Sequence, residues 1–219
     1  MTGLLSSIVP RGVVAAESFA LDEEPSPYPL ERAFVVMAID RRRREFYTAR
    51  RLAREALMRA GAAAGPIPQG PSGEPCWPDG FIGSLTHCDG FVGAIVASVE
   101  VSRGLGIDAE PNEPLPPGAL RMIAHRSEVA AVMSLREEHP KVFFDRLLFC
   151  IKEASYKIWF PLERAWLGFE DVEVEINARG GFTTYLRTRA HLSNIREIQG
   201  IWAARFGLLV CAAAVSPRE

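Results

Sequence analysis

Residues 105–111 read LGIDAEP, an apolar run that ends in two acidic residues, Asp108 and Glu110. The run GLGIDAE (104–110) follows a turn-like SRG and predicts a β-strand. Side chains two positions apart in a strand point to the same face, so we expect both carboxylates to project together, with Ala109 between them as a spacer. Paired carboxylates fit a partial cradle for a hard divalent cation. They also fit a solvated strand end, which on these residues alone is the simpler interpretation.

The patterns around this strand predict an α+β fold. Helical periodicity predicts three helices, over 43–60, 126–138 and 142–160, the last of them ending at Pro161. Apolar runs predict further strands over 81–87, 91–99 and 207–215, and a hairpin that turns at Gly180–Gly181. Each half of the chain therefore combines a long helix with roughly three strands.

The boundary between the two halves is predicted from proline. Residues 111–118 read PNEPLPPG, with four prolines in eight positions. We therefore expect an N-terminal lobe over 1–111 and a C-terminal lobe over 112–219. Residues 64–80 are also dense in Gly and Pro and predict a long irregular loop, a kind of segment that often carries function.

The bulk composition narrows the function classes. The chain has 219 residues, of which 48% are hydrophobic, and a formal net charge of −2. This charge argues against binding of nucleic acid through bulk positive charge. The four cysteines lack the spacing of a zinc site or a disulfide framework, and no stretch predicts a signal peptide or a membrane span. We therefore expect a cytoplasmic protein without membrane contact, and two fused lobes favour a monomer.

Two groups of charged residues are candidates for a site. Eight arginines lie between Arg41 and Arg59, and they fit either a solvated helix face or a local site for an anion. KEASYK (152–157) places Glu153 four residues before Lys157, which is also the favoured ordinary helix pair, worth about 0.3–0.5 kcal/mol. Two of the three lysines in the chain lie in this segment, however, which favours point charges that face phosphate oxygens.

The remaining motif candidates are weaker. His87 ends the strand-like GSLTH, where it fits a structural residue or a phosphate contact. A serine-hydrolase triad is not supported, because the chain has no G-x-S-x-G motif. No Walker motif is present, and no G-x-G-x-x-G motif follows a strand, so neither a P-loop nor a Rossmann nucleotide site is supported.

Taken together, these motifs resemble the 4′-phosphopantetheinyl transferases, in particular the Sfp-like type associated with siderophore synthases. The matching stretches are RRREFYTARRLAREAL (42–57), GEPCWPDGFIGSLTHC (73–88), GIDAEP (106–111) and FCIKEASYKIWFPL (149–162). The resemblance implies two similar α+β lobes related by a pseudo-twofold axis, with the active site in the cleft between them. It also implies a reaction in which Mg²⁺ assists the attack of a carrier-protein serine on the β-phosphate of coenzyme A, with release of adenosine 3′,5′-bisphosphate.

The resemblance assigns the catalytic roles residue by residue. It implies that Asp108 and Glu110 hold Mg²⁺ from the N-terminal lobe and that Glu153 is the third ligand, from the C-terminal lobe. Glu153 would also take the proton of the serine, directly or through water. Lys157 and Lys152 would contact oxygens of the pyrophosphate.

The coenzyme-binding residues follow from the same resemblance. His87 would contact a phosphate. Arg42 and Arg50 would hold the 3′-phosphate, with Arg43 and Arg44 as substitutes because the arginine run blurs the register. The adenine pocket would be lined by Gly73, Glu74, Pro75, Ser84 and Leu85. Gln69 stands where some relatives carry a lysine, which shifts the expected affinity for the coenzyme onto the arginines.

The implied partner is an acyl or peptidyl carrier protein of a fatty-acid, polyketide or nonribosomal-peptide synthase, an acidic helical domain for which we expect a docking surface around residues 119–136. Two alternatives use the same residues. A metal-dependent coenzyme A pyrophosphohydrolase would need the same three carboxylates, and a non-catalytic module that binds coenzyme A or the carrier would need only the pocket.

Overall fold

The computed structural model describes residues 3–188 and 192–217. Within these ranges the α-helices are α1 (Pro29–Phe34), α2 (Asp40–Arg59), α3 (Ala119–Ile123), α4 (Arg126–Glu138) and α5 (Phe144–Glu163). The strands are β1 (Val14–Ser18), β2 (Phe81–Cys88), β3 (Phe91–Ser98), β4 (Gly104–Pro111), β5 (Val172–Ile176), β6 (Gly181–Leu186), β7 (Glu197–Arg205) and β8 (Leu208–Val215). Two short 3-10 helices are also present, Leu5–Ser7 and Phe169–Asp171.

The first half of the chain forms a three-stranded antiparallel sheet with the strand order β1-β3-β2. Helix α2 packs on this sheet with a stripe of small residues, since Ala49, Ala53 and Ala56 lie in one core cluster with the apolar residues of β3. Small side chains let the helix approach the sheet closely. The predicted helix over 43–60 is confirmed, and it begins three residues earlier, at Asp40.

The second half forms a five-stranded antiparallel sheet with the order β4-β8-β7-β6-β5, and α5 packs on one face of it. Helix α5 lies against β4 because Gly106 has no side chain. A Cβ atom at Gly106 would lie only 2.0 Å from the carbonyl oxygen of Ala154, so any other residue would push the helix away. This close approach brings the polar residues of α5 next to the acidic end of β4.

Side-chain hydroxyls connect the two sheets between β2 and β4. Ser84 Oγ accepts a hydrogen bond from the amide of Ile107 (3.1 Å), and Thr86 Oγ1 accepts one from the amide of Ala109 (3.0 Å). On this side of β4, Leu105, Ile107 and Ala109 are buried in a core cluster with residues of β3 and β8. These two hydrogen bonds therefore fix the register of β4 against β2, and with it the position of Asp108, which lies between Ile107 and Ala109.

The opposite side of β4 carries the two acids. Asp108 forms an ion pair with Lys157 of α5, and Glu110 forms one with Arg146 of the same helix. The prediction that both carboxylates project together, with Ala109 turned away as the spacer, is confirmed. The α+β prediction is confirmed as well, since two antiparallel sheets are each covered by one long helix, in two lobes.

Helix α5 is longer than the sequence predicts. The predicted end at Pro161 is wrong, because the helix continues to Glu163 and ends where Arg164 adopts a left-handed conformation with φ of 53°. A proline in the last turn removes one backbone hydrogen bond without stopping the helix.

The division into lobes at residue 111 stays a prediction. In the structure, the chain passes from the first sheet to the second earlier, between β3 and β4. No helix in the described ranges has the length and apolar character needed to cross a bilayer.

Candidate functional site

A cavity of about 660 Å³ opens between α2, β2, the loop before β2, the end of β4 and the second half of α5. It collects most of the residues that the sequence singled out, although they come from both halves of the chain. The predicted residues that line it are Arg42, Arg50, Gly73, Glu74, Pro75, Ser84, Leu85, His87, Asp108 and Lys157. Gln69 lines it too.

Asp108 is the one of the three predicted metal ligands that lines the cavity, and neither Glu110 nor Glu153 does. Its Oδ1 atom accepts hydrogen bonds from Lys157 Nζ (2.8 Å) and Thr86 Oγ1 (3.1 Å). Its Oδ2 atom is buried and has no hydrogen-bond partner within the described residues. A buried carboxylate oxygen without a donor is costly, so this atom is suited to accept a ligand that the chain itself does not provide.

Lys157 provides the positive charge next to Asp108. Its ammonium also donates to the carbonyl oxygen of Ile107 (3.0 Å), so both contacts lie on β4. Burial alone would lower the pKa of Lys157, but the charge of Asp108 and the hydrogen bond to it outweigh burial and raise that pKa. Lys157 therefore stays charged at neutral pH and faces the cavity with its remaining donor capacity.

Glu110 lies next to Asp108 but is held by a different cation. Arg146 Nη1 contacts Glu110 Oε2 at 3.1 Å, and the same guanidinium donates to the carbonyl oxygens of Glu113 and Pro114. Burial raises the pKa of Glu110, the charge of Asp108 raises it further, and Arg146 opposes both effects. Arg146 thus fixes Glu110 to the start of the proline-rich link.

Glu153 lies one helical turn before Lys157 on α5. No hydrogen bond or ion pair within the described part of the chain involves its carboxylate. Burial raises the pKa of Glu153, and the negative charge of Asp108 raises it further, while Lys157 lowers it. A carboxylate with a raised pKa and no partner is suited to accept a proton.

The three carboxylates fit a hard divalent cation in donor chemistry. In the ranges 3–188 and 192–217, no three His, Cys, Asp or Glu side chains converge tightly enough to form a metal site. The charge of Asp108 nevertheless disfavours ionisation of both Glu110 and Glu153, a repulsion that a cation among them would relieve. Together with the unpartnered Oδ2 atom of Asp108, this makes Mg²⁺ compatible with these donors.

Basic residues of α2 and β2 also line the cavity. Of the run Arg41–Arg44, Arg42 lines the cavity and contacts His87 Nε2, whereas Arg43 pairs with Asp40 and Arg44 with backbone carbonyls. Burial lowers the pKa of His87, and the charge of Arg42 lowers it further. The sequence left open which arginine of the run faces the site. In the structure it is Arg42, which lies beside His87.

Arg50 is buried beneath the same wall. Its Nε donates to the carbonyl oxygen of Ile67 (2.9 Å), and its guanidinium lies 4.3 Å from the ring centroid of Phe46. Burial lowers the pKa of Arg50 to about 10, so it remains charged at neutral pH. A buried cation whose guanidinium still lines a cavity is suited to bind an anion there.

The loop before β2 forms the third wall. Gly73 has a positive φ of 91°, which favours glycine, and the adjoining Glu74 carboxylate accepts a hydrogen bond from the amide of Ser72. Glu74 also forms an ion pair with Arg164, which follows α5. This pair connects the loop of the first half of the chain to the helix of the second half across the cavity.

Lys152 does not reach the cavity, which corrects the prediction that it contacts the pyrophosphate. Its ammonium is buried and donates to Glu128 (2.9 Å) and to the carbonyl oxygens of Ile123, Phe169 and Val172. Five residues correspond to about 140° around a helix, so Lys152 and Lys157 cannot both face the same site. Lys152 therefore has a structural role in α5.

Several cavity residues were missed by the sequence analysis. They are Phe46, Trp77, Tyr156, Phe160 and Arg164. Tyr156 and Phe160 lie on α5 and Arg164 follows its last residue, and the three have the spacing of one helix face. The rings of Tyr156 and Phe160 stack with centroids 5.8 Å apart. Extending the KEASYK stripe by helical periodicity would have found them. No local signal marks Trp77.

Comparison with known proteins gives two family matches. The family described as 4′-phosphopantetheinyl transferase N-terminal domain matches residues 30–97, and the 4′-phosphopantetheinyl transferase superfamily matches residues 104–211. The first match therefore contains α2 and the cavity loop, and the second contains β4 and α5.

Three similar proteins support the same assignment. The 4′-phosphopantetheinyl transferase Svp of Streptomyces mobaraensis is 40% identical over 221 residues, which cover 97% of this chain and 89% of that protein. PptT of Mycobacterium tuberculosis is 38% identical over 221 residues, covering 95% and 96%. Npt of Nocardia iowensis is 40% identical over 178 residues, covering 81% and 79%. PptT and Npt are also described as 4′-phosphopantetheinyl transferases.

Proposed function

The chain belongs to the 4′-phosphopantetheinyl transferase superfamily, and from this membership we propose that it transfers the 4′-phosphopantetheine arm of coenzyme A to a serine of apo carrier proteins. The observation that carries the proposal is the meeting of Asp108 and Lys157 with Arg42, Arg50 and His87 in a single cavity. A carboxylate and several cations that line one cavity suit a metal-assisted transfer from a polyanionic substrate.

Coenzyme A would bind with its 3′-phosphate at the basic wall. Arg42 is partly exposed and Arg50 is buried, and both have donors that can face a phosphate. His87, held between Arg42 and Glu45, would contact the same or a neighbouring phosphate. The loop at Gly73 and the adjoining residues of β2 would enclose the adenine.

The reaction forms a bond between the serine oxygen and the β-phosphorus and breaks the bond from that phosphorus to the bridging oxygen of the pyrophosphate. Adenosine 3′,5′-bisphosphate then leaves. Glu153 would accept the serine proton, directly or through water, because its carboxylate has no partner and a raised pKa. Lys157, fixed by Asp108 and by the carbonyl of Ile107, would neutralise negative charge on the pyrophosphate oxygens.

Asp108, Glu110 and Glu153 are the residues that would hold Mg²⁺. When bound, Mg²⁺ supplies a Lewis acid for the phosphoryl oxygens and neutralises charge on the leaving group. In the described structure, Lys157 holds Asp108 at the cavity wall, whereas Arg146 holds Glu110 two residues further along β4, and neither Glu110 nor Glu153 lines the cavity.

The carrier would approach from the side of α3 and α4. Met122 (82%) and Met133 (60%) are exposed there, and Arg121 and Arg126 are exposed beside them. Apolar and basic side chains together suit an acidic helical domain. Which synthase supplies the carrier, the monomeric state and a cytoplasmic location remain predictions.

One assay separates this function from its alternatives. The protein is incubated with coenzyme A, Mg²⁺ and an apo carrier protein, and both products are followed by mass spectrometry. A carrier that gains the mass of one phosphopantetheine arm supports transfer. Loss of coenzyme A without a gain by the carrier would favour a pyrophosphohydrolase, and no change in either would favour a binding module.

Arg42→Gln should raise the KM for coenzyme A about tenfold, since a charge-assisted hydrogen bond contributes about 1.5–3 kcal/mol and Arg42 is partly exposed. The reason is the lost contact with the 3′-phosphate, so the KM for 3′-dephospho-coenzyme A should not change. Arg43→Gln, a neighbour that does not line the cavity, is the matched control. An equal rise with both coenzymes would contradict the 3′-phosphate role.

Glu153→Gln should lower kcat at least about a hundredfold, because general base catalysis contributes roughly 10²–10⁴ in rate. The amide keeps the size of the side chain but cannot take the serine proton. The initial rate of carrier modification at saturating substrates is the measurement, and Glu137→Gln, an exposed residue of α4, serves as the control. A kcat within a factor of three of the unmodified enzyme would exclude the base role.

A further inference from the structure

The connection between α1 and α2 exposes a short run of large apolar side chains. Val36, Met37 and Ile39 are 67%, 94% and 75% exposed. The amide of Ala38 donates to the carbonyl oxygen of Val35 (3.0 Å) and closes a tight turn, which the buried side chain of Val35 anchors. Residues 36–39, here called the apolar turn, therefore project from the surface. Apolar side chains clustered in this way are typical of an interaction surface.

The apolar turn ends three residues before the cavity-lining Arg42, because it leads directly into the first turn of α2. Arg41 forms an ion pair with Asp89 (2.9 Å) in the turn after β2, and Arg42 lines the cavity beside His87. Asp89 follows the end of β2, and Thr86 of that strand donates a hydrogen bond to Asp108 Oδ1 (3.1 Å). This end of α2 therefore borders the same edge of the protein as the paired acids.

We propose that the apolar turn is a docking surface for the carrier protein, in addition to the surface around 119–136. The inference rests on the proposed function, in which the second substrate is a folded protein that must bring its serine to the rim of this cavity. Arg41 (55% exposed) and Arg43 (39% exposed) are paired with the exposed acids Asp89 and Asp40, but the four arginines of the run 41–44 outnumber the neighbouring acids and leave the border net positive. An acidic helix with apolar side chains against Met37 and Ile39 fits that border.

The size of the surface favours a transient substrate over a second copy of this chain. A stable homodimer buries about 800 Å² or more on each partner, far more than three side chains can offer. A carrier domain, in contrast, is released after every turnover and needs only modest affinity. The apolar turn and the residues around 119–136 would together contact such a domain on two sides of its serine.

The test uses a double variant, Met37→Glu with Ile39→Glu, in the full chain. We expect the KM for the apo carrier to rise at least about tenfold, equivalent to about 1.4 kcal/mol of binding free energy, while the KM for coenzyme A stays unchanged. Met58→Glu is the control, since Met58 is an apolar residue that is 53% exposed in the last turn of α2, at the end of the helix away from the apolar turn. It should leave both constants unchanged. Thermal melting establishes that each variant is folded.

Other results would overturn the inference. An unchanged KM for the carrier in the double variant would remove the docking role, and an equal rise in Met58→Glu would show a general effect of added charge. Light scattering that finds a dimer of the unmodified protein, converted to a monomer by the double variant, would assign the apolar turn to a second copy instead. If the unmodified protein transfers nothing to any carrier, the proposed function fails, and this inference fails with it.

Discussion

Asp108→Asn should reduce the rate of phosphopantetheine transfer by at least about a thousandfold, since one electrostatic group at a developing charge is worth roughly 10²–10³ in rate. Asp108 would position two such groups, Lys157 and Mg²⁺. Its carboxylate fixes Lys157 toward the cavity and would hold Mg²⁺. Asparagine keeps the size of the side chain and an oxygen that can still accept from Thr86 and Lys157, but it removes the negative charge.

The same substitution should leave the fold nearly intact. Asparagine keeps the hydrogen bonds that Oδ1 accepts, but it removes the counter-ion of Lys157 from a partly buried ion pair. We expect the free energy of unfolding to fall by about 1–3 kcal/mol, and titration calorimetry should show weaker binding of Mg²⁺. Asp79→Asn, at an exposed turn residue before β2, is the matched control. Turnover of the Asp108→Asn protein near that of the control would contradict the assigned role.

The face of β4 could be predicted because strand periodicity is local. Alternation with a period of two residues determines which side chains share a face, whatever the strand packs against. Asp108 and Glu110 therefore had to project together, and Ala109 had to turn away. The partners of the two acids could not be predicted in this way. Lys157 and Arg146 reach them from α5, more than thirty residues along the chain.

The arginine run shows the limit of periodicity on a helix surface. Four consecutive arginines cover every face of α2, so the pattern alone gives no register. The structure distinguishes them by what lies nearby. Arg42 faces the cavity because β2 ends beside it at His87, and Arg44 is occupied by the carbonyl oxygens of Leu21 and Asp22. Contacts that distant in sequence are set by the packing of α2 on its sheet.

Some elements carried too weak a local signal. β7 pairs with both β6 and β8, but its sequence EIQGIWAAR alternates poorly, and its position in the middle of the sheet stabilises it. The ion pair between Glu74 and Arg164 could not be predicted either, because the two residues lie ninety positions apart in the sequence. In each case the decisive interaction depends on the tertiary fold, whereas the metal and phosphate motifs depend on spacing within one element.

Lys152 is the residue for which spacing gave the wrong role, and its replacement should affect stability instead of coenzyme binding. Lys152→Met should lower the free energy of unfolding by about 3–5 kcal/mol, the usual cost of removing one partner of a buried ion pair. Glu128 would stay buried without a cation, although the amides of His125 and Val174 still donate to it. The carbonyl oxygens of Ile123, Phe169 and Val172 would lose the donor that connects α3 and β5 to α5.

Chemical denaturation at neutral pH measures this loss, and Lys141→Met, at an exposed lysine just before α5, should change stability by less than about 0.5 kcal/mol. Because total stability is about 5–15 kcal/mol, most of the Lys152→Met protein should still be folded at low temperature, where its kinetics can be measured. Its KM for coenzyme A should then equal that of the unmodified enzyme. If stability were unchanged and the KM for coenzyme A rose more than tenfold, Lys152 would instead contact the pyrophosphate. That contact would require α5 to rotate when coenzyme A binds.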